Sequence, residues 1–234
     1  MLKRILCIGC FIVFLLLPFF RQYGFVSDNV EVSSYFYPET VIIDPGHGGE
    51  DGGAVGNKIY FEKDINLDIS QKLELILTLH GINTDMTRRT DISLGENVSD
   101  SLRKRKIADL KKRVEKILTN SNAIVISVHQ NSFPQDERCS GAQVFFSENN
   151  IKSKFLAKEV QCCLKRGIDN SNTRQEKVAD NNIFLLKKIM CPAILVECGF
   201  LSNKNELVML NSESYRTKLA LCIASGFFEY KKEM

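Results

Sequence analysis

Three short apolar runs, at residues 41–44, 123–128 and 193–196, constrain the fold more than anything else in the chain. Each leads into a side chain suited to a site rather than a core. His47 follows the first run after Asp44, Pro45 and Gly46, while His129 and Glu197 directly follow the second and third. Apolar stretches of this length are the strands of a parallel sheet covered on both faces. Further strands are expected at 82–88 and 141–147. Between them the period changes to that of a helix. Ile65, Ile69, Leu73 and Ile76 keep helical spacing until Gly81,. Residues 102–118 set Ile107, Leu110, Val114 and Ile117 on one side, and 152–165 carry Phe155, Leu156, Val160 and Leu164,. Residues 184–189 form a short apolar segment, and 206–230 hold a last helix with Leu219, Ile223, Phe227 and Phe228. This alternation predicts a single α/β domain, with a mostly parallel or mixed sheet flanked by helices.

In open α/β sheets the ligand crevice lies outside the carboxyl ends of the strands. His47, His129 and Glu197 stand at three such ends, and Glu62 opens the first helix on the same side, one turn before Ile65. Two imidazoles and a carboxylate are a catalytic zinc set, whereas closed structural sites are usually rich in cysteine. His47, Glu62 and His129 are therefore the expected ligands of Zn2+, with water in the fourth position. Glu197 is left for proton work, as general base and then general acid. The plainer alternatives are a hydrogen-bonded strand-end histidine for His129, a helix N-terminal acid for Glu62, and an ion pair with Arg88 or Arg105 for Glu197. His80, before Gly81, reads as a helix-end residue.

Charge narrows the partners. Lys3, Arg4 and Arg21 lie in a segment without acids, and the remaining 28 basic residues balance 28 acidic ones, so the domain lacks the net basic face that nucleic acid requires,. The basic run at 103–113 reads as a solvated helix face, Arg105 excepted. Lys3 and Arg4 precede an apolar run over residues 5–20, the layout of an export signal or a single membrane anchor,. No small-x-small cleavage site follows, so an uncleaved anchor is expected, with the domain outside the cell membrane. Residues 22–40 are expected to be a linker whose aromatic end docks on the domain. Six cysteines lie beyond the N-terminal segment: Cys139, Cys162, Cys163, Cys191, Cys198 and Cys222. Most are expected to be small buried residues, with a disulfide open to Cys139.

The motifs DPGHGGED-GGAVG at 44–56, Glu62, TRRTD at 87–91, LRKRKIAD at 102–109, SVHQNS at 127–132 and CPAILVECGFLSN at 191–203 resemble the zinc-dependent N-acetylmuramoyl-L-alanine amidases of the Amidase_3 family. The resemblance runs from Val41 to the C-terminus. It implies a single domain of the phosphorylase/hydrolase-like type, ligands His47, Glu62 and His129, catalytic Glu197, and peptidoglycan as substrate. Arg105 and Asn131 are implied as substrate-binding residues. Gly52 stands where the family often has proline, and Asp109 replaces a common asparagine. The short form resembles the spore-cortex, germination-specific branch, which implies an extracytoplasmic protein at the forespore envelope. A zinc carboxypeptidase or endopeptidase on the stem peptide is one alternative, from the metal set alone, and a partner-dependent wall-assembly protein is another. The glycine-rich ligand loop and the unassigned loops at 91–101 and 169–182 also raise the expectation of an activating protein partner.

Overall fold

The structure, a computed structural model, describes residues 39–95, 101–120 and 122–234. The expected signal or anchor and most of the linker lie outside these residues. Eight strands are described: β1 (Thr40–Pro45), β2 (Val55–Gly56), β3 (Tyr60–Phe61), β4 (Asn83–Met86), β5 (Ala123–Asn131), β6 (Gln143–Phe146), β7 (Lys177–Val178) and β8 (Ala193–Phe200). The helices are α1 (Glu62–Leu79), α2 (Leu102–Leu118), α3 (Lys152–Gly167), α4 (Phe184–Lys188), α5 (Lys204–Leu210) and α6 (Glu213–Glu233).

Six strands form one mixed sheet in the order β4-β1-β5-β8-β6-β7, and β2 pairs with β3 in a small hairpin. β4, β1, β5 and β8 run parallel, while β6 is antiparallel to β8. The apolar runs are thus the central strands, and strand alternation divides their side chains between two faces. Val41, Ile43, Ile124, Ile126, Ile194 and Val196 face α1, α3 and α6. Ile42, Val125, Ala193 and Leu195 face α2 and α4. On α1, Glu62, Ile65, Asn66, Ile69, Leu73 and Leu77 form the buried stripe. Full burial of each large aliphatic side chain there stabilises the fold by about 1.5–3 kcal/mol.

Two departures from the sequence expectations lie in α2 and in the loop at 169–182. Ile107 is 43% exposed, and the buried stripe of α2 is Asp109, Arg113, Val114 and Ile117. Buried acceptors on β1 reward an arginine there more than an aliphatic side chain, as described below. The expected last helix is α6, which buries Leu219, Ile223 and Phe227; the short α5 precedes it, separated by Asn211 and Ser212, residue types that compete with helical hydrogen bonding and favour caps,. The segment 184–189 contains the helical turn of α4. The loop at 169–182 contributes β7, an edge strand beside β6. All six cysteines are free, with Cys163, Cys198 and Cys222 buried, Cys139 and Cys191 half-buried, and Cys162 exposed. Among the described residues no helix is long and apolar enough to cross a membrane.

Candidate metal centre

β1 ends at Pro45, and the chain leaves it through Gly46 into His47, which adopts the left-handed region at φ 62°. That conformation costs a non-glycine residue about 1–2 kcal/mol, so something must hold it. Two buried arginines do so. Arg88 donates to the carbonyls of Pro45 and Gly46 at 3.0 and 2.9 Å, and also to those of Lys63 and Thr90. Arg113, 1% exposed, donates to Pro45 at 2.7 Å and to the His47 carbonyl. Its remaining donors go to Asp44 at 2.7 Å and Asp109 at 2.6 Å. Asp44 also accepts from Thr87 and Ser127. Burial works against the Asp44 charge, but Arg113 and these hydroxyls outweigh it and lower the carboxyl to about 2. Asp109 accepts from the Leu94 amide as well, so its carboxylate ties α2 to the described part of the loop after β4.

His47, Glu62 and His129 meet at the end of this clamp. Their ligand atoms all lie within 4.8 Å of one another. His47 Nε2 stands 3.2 Å from Glu62 Oε2, and His129 Nδ1 stands 3.0 Å from Glu62 Oε1. Each ring is brought in by close approach to a glycine. A Cβ on Gly46 would sit 2.2–2.6 Å from the His129 ring, and one on Gly53 would sit 2.5 Å from Glu62 Oε2 and 2.8 Å from His47 Cδ2. Amides of Ala54 and Gln130 and the Asn66 side chain donate to Glu62 at 2.8, 3.0 and 3.3 Å. Burial would raise the Glu62 carboxyl, but the two imidazoles hold it well below the usual carboxylate range. Burial would likewise lower His47, yet its bonds to Asp51 and Glu62 push it up to about 9.

Glu197 lies opposite His129 in the β5–β8 register. It has neither of the arginine partners considered above. Arg88 is spent on backbone carbonyls, and Arg105 pairs with Glu50 at 2.6 Å. Glu197 Oε2 is buried without a hydrogen-bond partner among the described residues. Burial pushes its carboxyl up to about 7, with His129 opposing and Glu62 reinforcing the shift. His47, His129 and Glu197 line a cavity of about 250 Å³, together with Lys106, Leu110 and Phe184 among others.

The donor set, the glycine cradles and the orphaned carboxylate oxygen together suit a divalent ion such as zinc. The four residues expected from strand ends and helix start are brought together. Neither of the expected substrate-binding residues is on the cavity wall: Arg105 pairs with Glu50, and Asn131 Oδ1 accepts from the Ser132 amide. His80 lies apart, bonded to the Ile76 carbonyl and packed on Phe228. Sequence reasoning missed Asp44, Asp51 and Arg113. The acid closing the β1 run and the acid–arginine pair four residues apart on α2 were the available signals.

Comparison with known proteins agrees. The Amidase_3 family, N-acetylmuramoyl-L-alanine amidase, matches residues 41–228. A germination-specific N-acetylmuramoyl-L-alanine amidase of Bacillus subtilis is 32% identical, over all of this chain and 98% of its own. Among solved structures, the CwlD amidase from Clostridioides difficile, determined in complex with the GerS lipoprotein, superposes with a TM-score of 0.79 at 40% identity. That likeness covers 84% of this chain and all of the other. The amidase AmiC2 of Nostoc punctiforme gives 0.68 at 29% identity, over 83% of this chain and 97% of its own. The match takes in nearly the whole described domain, and the chain belongs to the N-acetylmuramoyl-L-alanine amidase family, amide hydrolases of peptidoglycan.

Proposed function

We propose that this amidase works with a zinc ion held by His47, Glu62 and His129, and that Glu197 is its proton shuttle. The observation that carries the reading is the Glu197 carboxylate, buried opposite His129 in the same cavity, with one oxygen unpartnered and its carboxyl raised to about 7. Bound there, the ion supplies Lewis acidity toward water and toward the amide carbonyl. Glu197 takes the proton from the attacking water and later delivers it to the leaving nitrogen of L-alanine. With its carboxyl raised to about 7, Glu197 stands near the balance between the basic form needed for the first transfer and the acidic form needed for the second,. Leu110, Phe184 and Leu195 contribute apolar wall to the cavity beside His47 and Glu197. Arg105, half-buried beside Glu50, is assigned to orienting the substrate, and Asn131 to shaping the strand end next to His129.

The scissile bond is the amide between the lactyl group of N-acetylmuramic acid and L-alanine. The germination-specific relative favours spore-cortex peptidoglycan as the substrate, with stem-peptide removal leading toward muramic-δ-lactam. The lipoprotein complexed with the CwlD neighbour favours a protein partner here as well. Residues 41–234 then form the catalytic domain behind a linker and an N-terminal signal or anchor, working outside the cytoplasm.

The test is digestion of purified cortex and vegetative peptidoglycan, with and without added zinc, followed by mass spectrometry. The expected products are peptides with free L-alanine amino termini and muramic acid without its stem, lost on chelation and restored by zinc. Release of D-alanine with intact lactyl amides would replace this reading by a carboxypeptidase.

A further inference from the structure

Asp51 takes no part in the proton transfers above, yet it makes the closest side-chain contact to His47. Its Oδ2 lies 2.8 Å from His47 Nδ1, on the side of the ring away from Glu62. The chain places it there by folding back. The Gly48 amide donates to the Asp51 carbonyl at 3.0 Å and the Asp51 amide to the Gly48 carbonyl at 3.2 Å, closing a tight loop directly after His47. The carboxylate is then held from two further directions. The Gly53 amide donates to Oδ1 at 3.3 Å, and Lys106 on α2 approaches Oδ2 at 3.1 Å. Its side chain is only a quarter exposed, so these contacts restrict its rotamers.

We propose that Asp51 is the positioning residue of the metal centre: by accepting from Nδ1–H it fixes the His47 tautomer and turns Nε2 toward Glu62 and His129. This rests on the zinc reading above. An imidazole has two nitrogens, and the one bonded to a carboxylate keeps the proton while the other presents its lone pair. The need is greater at His47 than at His129. His129 is seated within a nine-residue strand and pressed against Gly46, whereas His47 sits in a left-handed turn outside any strand. Lys106 extends the arrangement to α2, so the helix that clamps the His47 carbonyl through Arg113 also braces the acceptor of its ring.

The test compares Asp51→Ala and Asp51→Asn in the full chain. Zinc affinity is read by competition with a chromophoric chelator, and the His47 tautomer by nitrogen–proton correlation in the zinc-loaded protein. Asp51→Ala should weaken zinc by about 10–100-fold and lose the single Nδ1–H tautomer. Asp51→Asn keeps an acceptor oxygen at that place, so it should recover most of the affinity and retain the tautomer. Wild-type affinity and an unchanged His47 spectrum in Asp51→Ala overturn the proposal, as does equal weakening in the two variants. Should Asp51→Ala fail to fold, Asp51→Asn decides alone: retention of the Nδ1–H signature supports the role, and its loss overturns it. His47→Ala separates the two levels, because undiminished zinc binding in that variant would refute the metal site itself.

Discussion

Replacing Gly46 with alanine adds one methyl group and reads the geometry of the centre directly. The backbone of Gly46 is not in the left-handed region, so alanine meets no intrinsic conformational penalty there. The obstacle is the His129 ring, whose Cε1, Nε2 and Nδ1 would lie 2.2, 2.3 and 2.6 Å from the new Cβ. Ordinary contact begins near 3.4 Å, so the ring must retreat by about 1 Å. A misplacement of about 1 Å costs on the order of 10²-fold in rate, or about 2.7 kcal/mol of transition-state stabilisation. Overpacking adds about 1–3 kcal/mol of lost stability, which lowers the melting temperature of a domain this size by about 2–4 °C per kcal/mol. The assay is turnover of a muramyl-peptide substrate at saturating zinc, with zinc affinity and thermal unfolding measured on the same preparation. Turnover and zinc affinity both within twofold of wild type would show that His129 does not depend on the space over Gly46, and the reasoning would fail.

Glu197→Gln should lower kcat by about 10²–10⁴-fold while zinc affinity stays near wild type, and appreciable hydrolysis by the amide variant would remove Glu197 as proton shuttle. Arg113→Met leaves Asp44 and Asp109 buried without their cation, so urea unfolding of the metal-free chain should show a loss of about 3–5 kcal/mol; a loss under 1 kcal/mol would mean that the clamp contributes little,. The pH dependence of zinc binding follows from His47. Its pKa is raised to about 9, so near pH 7 the imidazole is protonated in the metal-free chain and zinc must displace that proton,. Affinity should therefore rise about tenfold per pH unit between 7 and 9 and then level off, and a flat profile over that window would contradict the contact with Asp51 and Glu62.

The reach of the sequence is best judged on particular residues. The central strands were legible because apolar runs are local signals, and the ends of parallel strands share one side of a sheet whatever the loops do. His47, His129 and Glu197 followed from that, and Glu62 from its place on the α1 stripe. Arg113 was legible only as half of an acid–arginine pair, four residues after Asp109. It sits among six other basic residues over 103–112, and no periodicity tells the one that turns inward from those that face water. Its partners decide the matter, and Asp44 lies 69 residues earlier in the chain.

The same division holds across the molecule. By itself the sequence determined the alternation of strands and helices, the residues that meet in the candidate metal centre and the motifs of the family, because each depends on short-range pattern and on residue chemistry. The tertiary structure decided what makes the centre rigid: two buried arginines on the carbonyls of the His47 turn, the imidazole pressed against Gly46, and the carboxylate of Asp51 behind the ring. It also decided that β6 runs antiparallel and that β7 borders it. These are pairings across long loops, where hydrogen-bonding and steric demands appear only once distant segments share a surface.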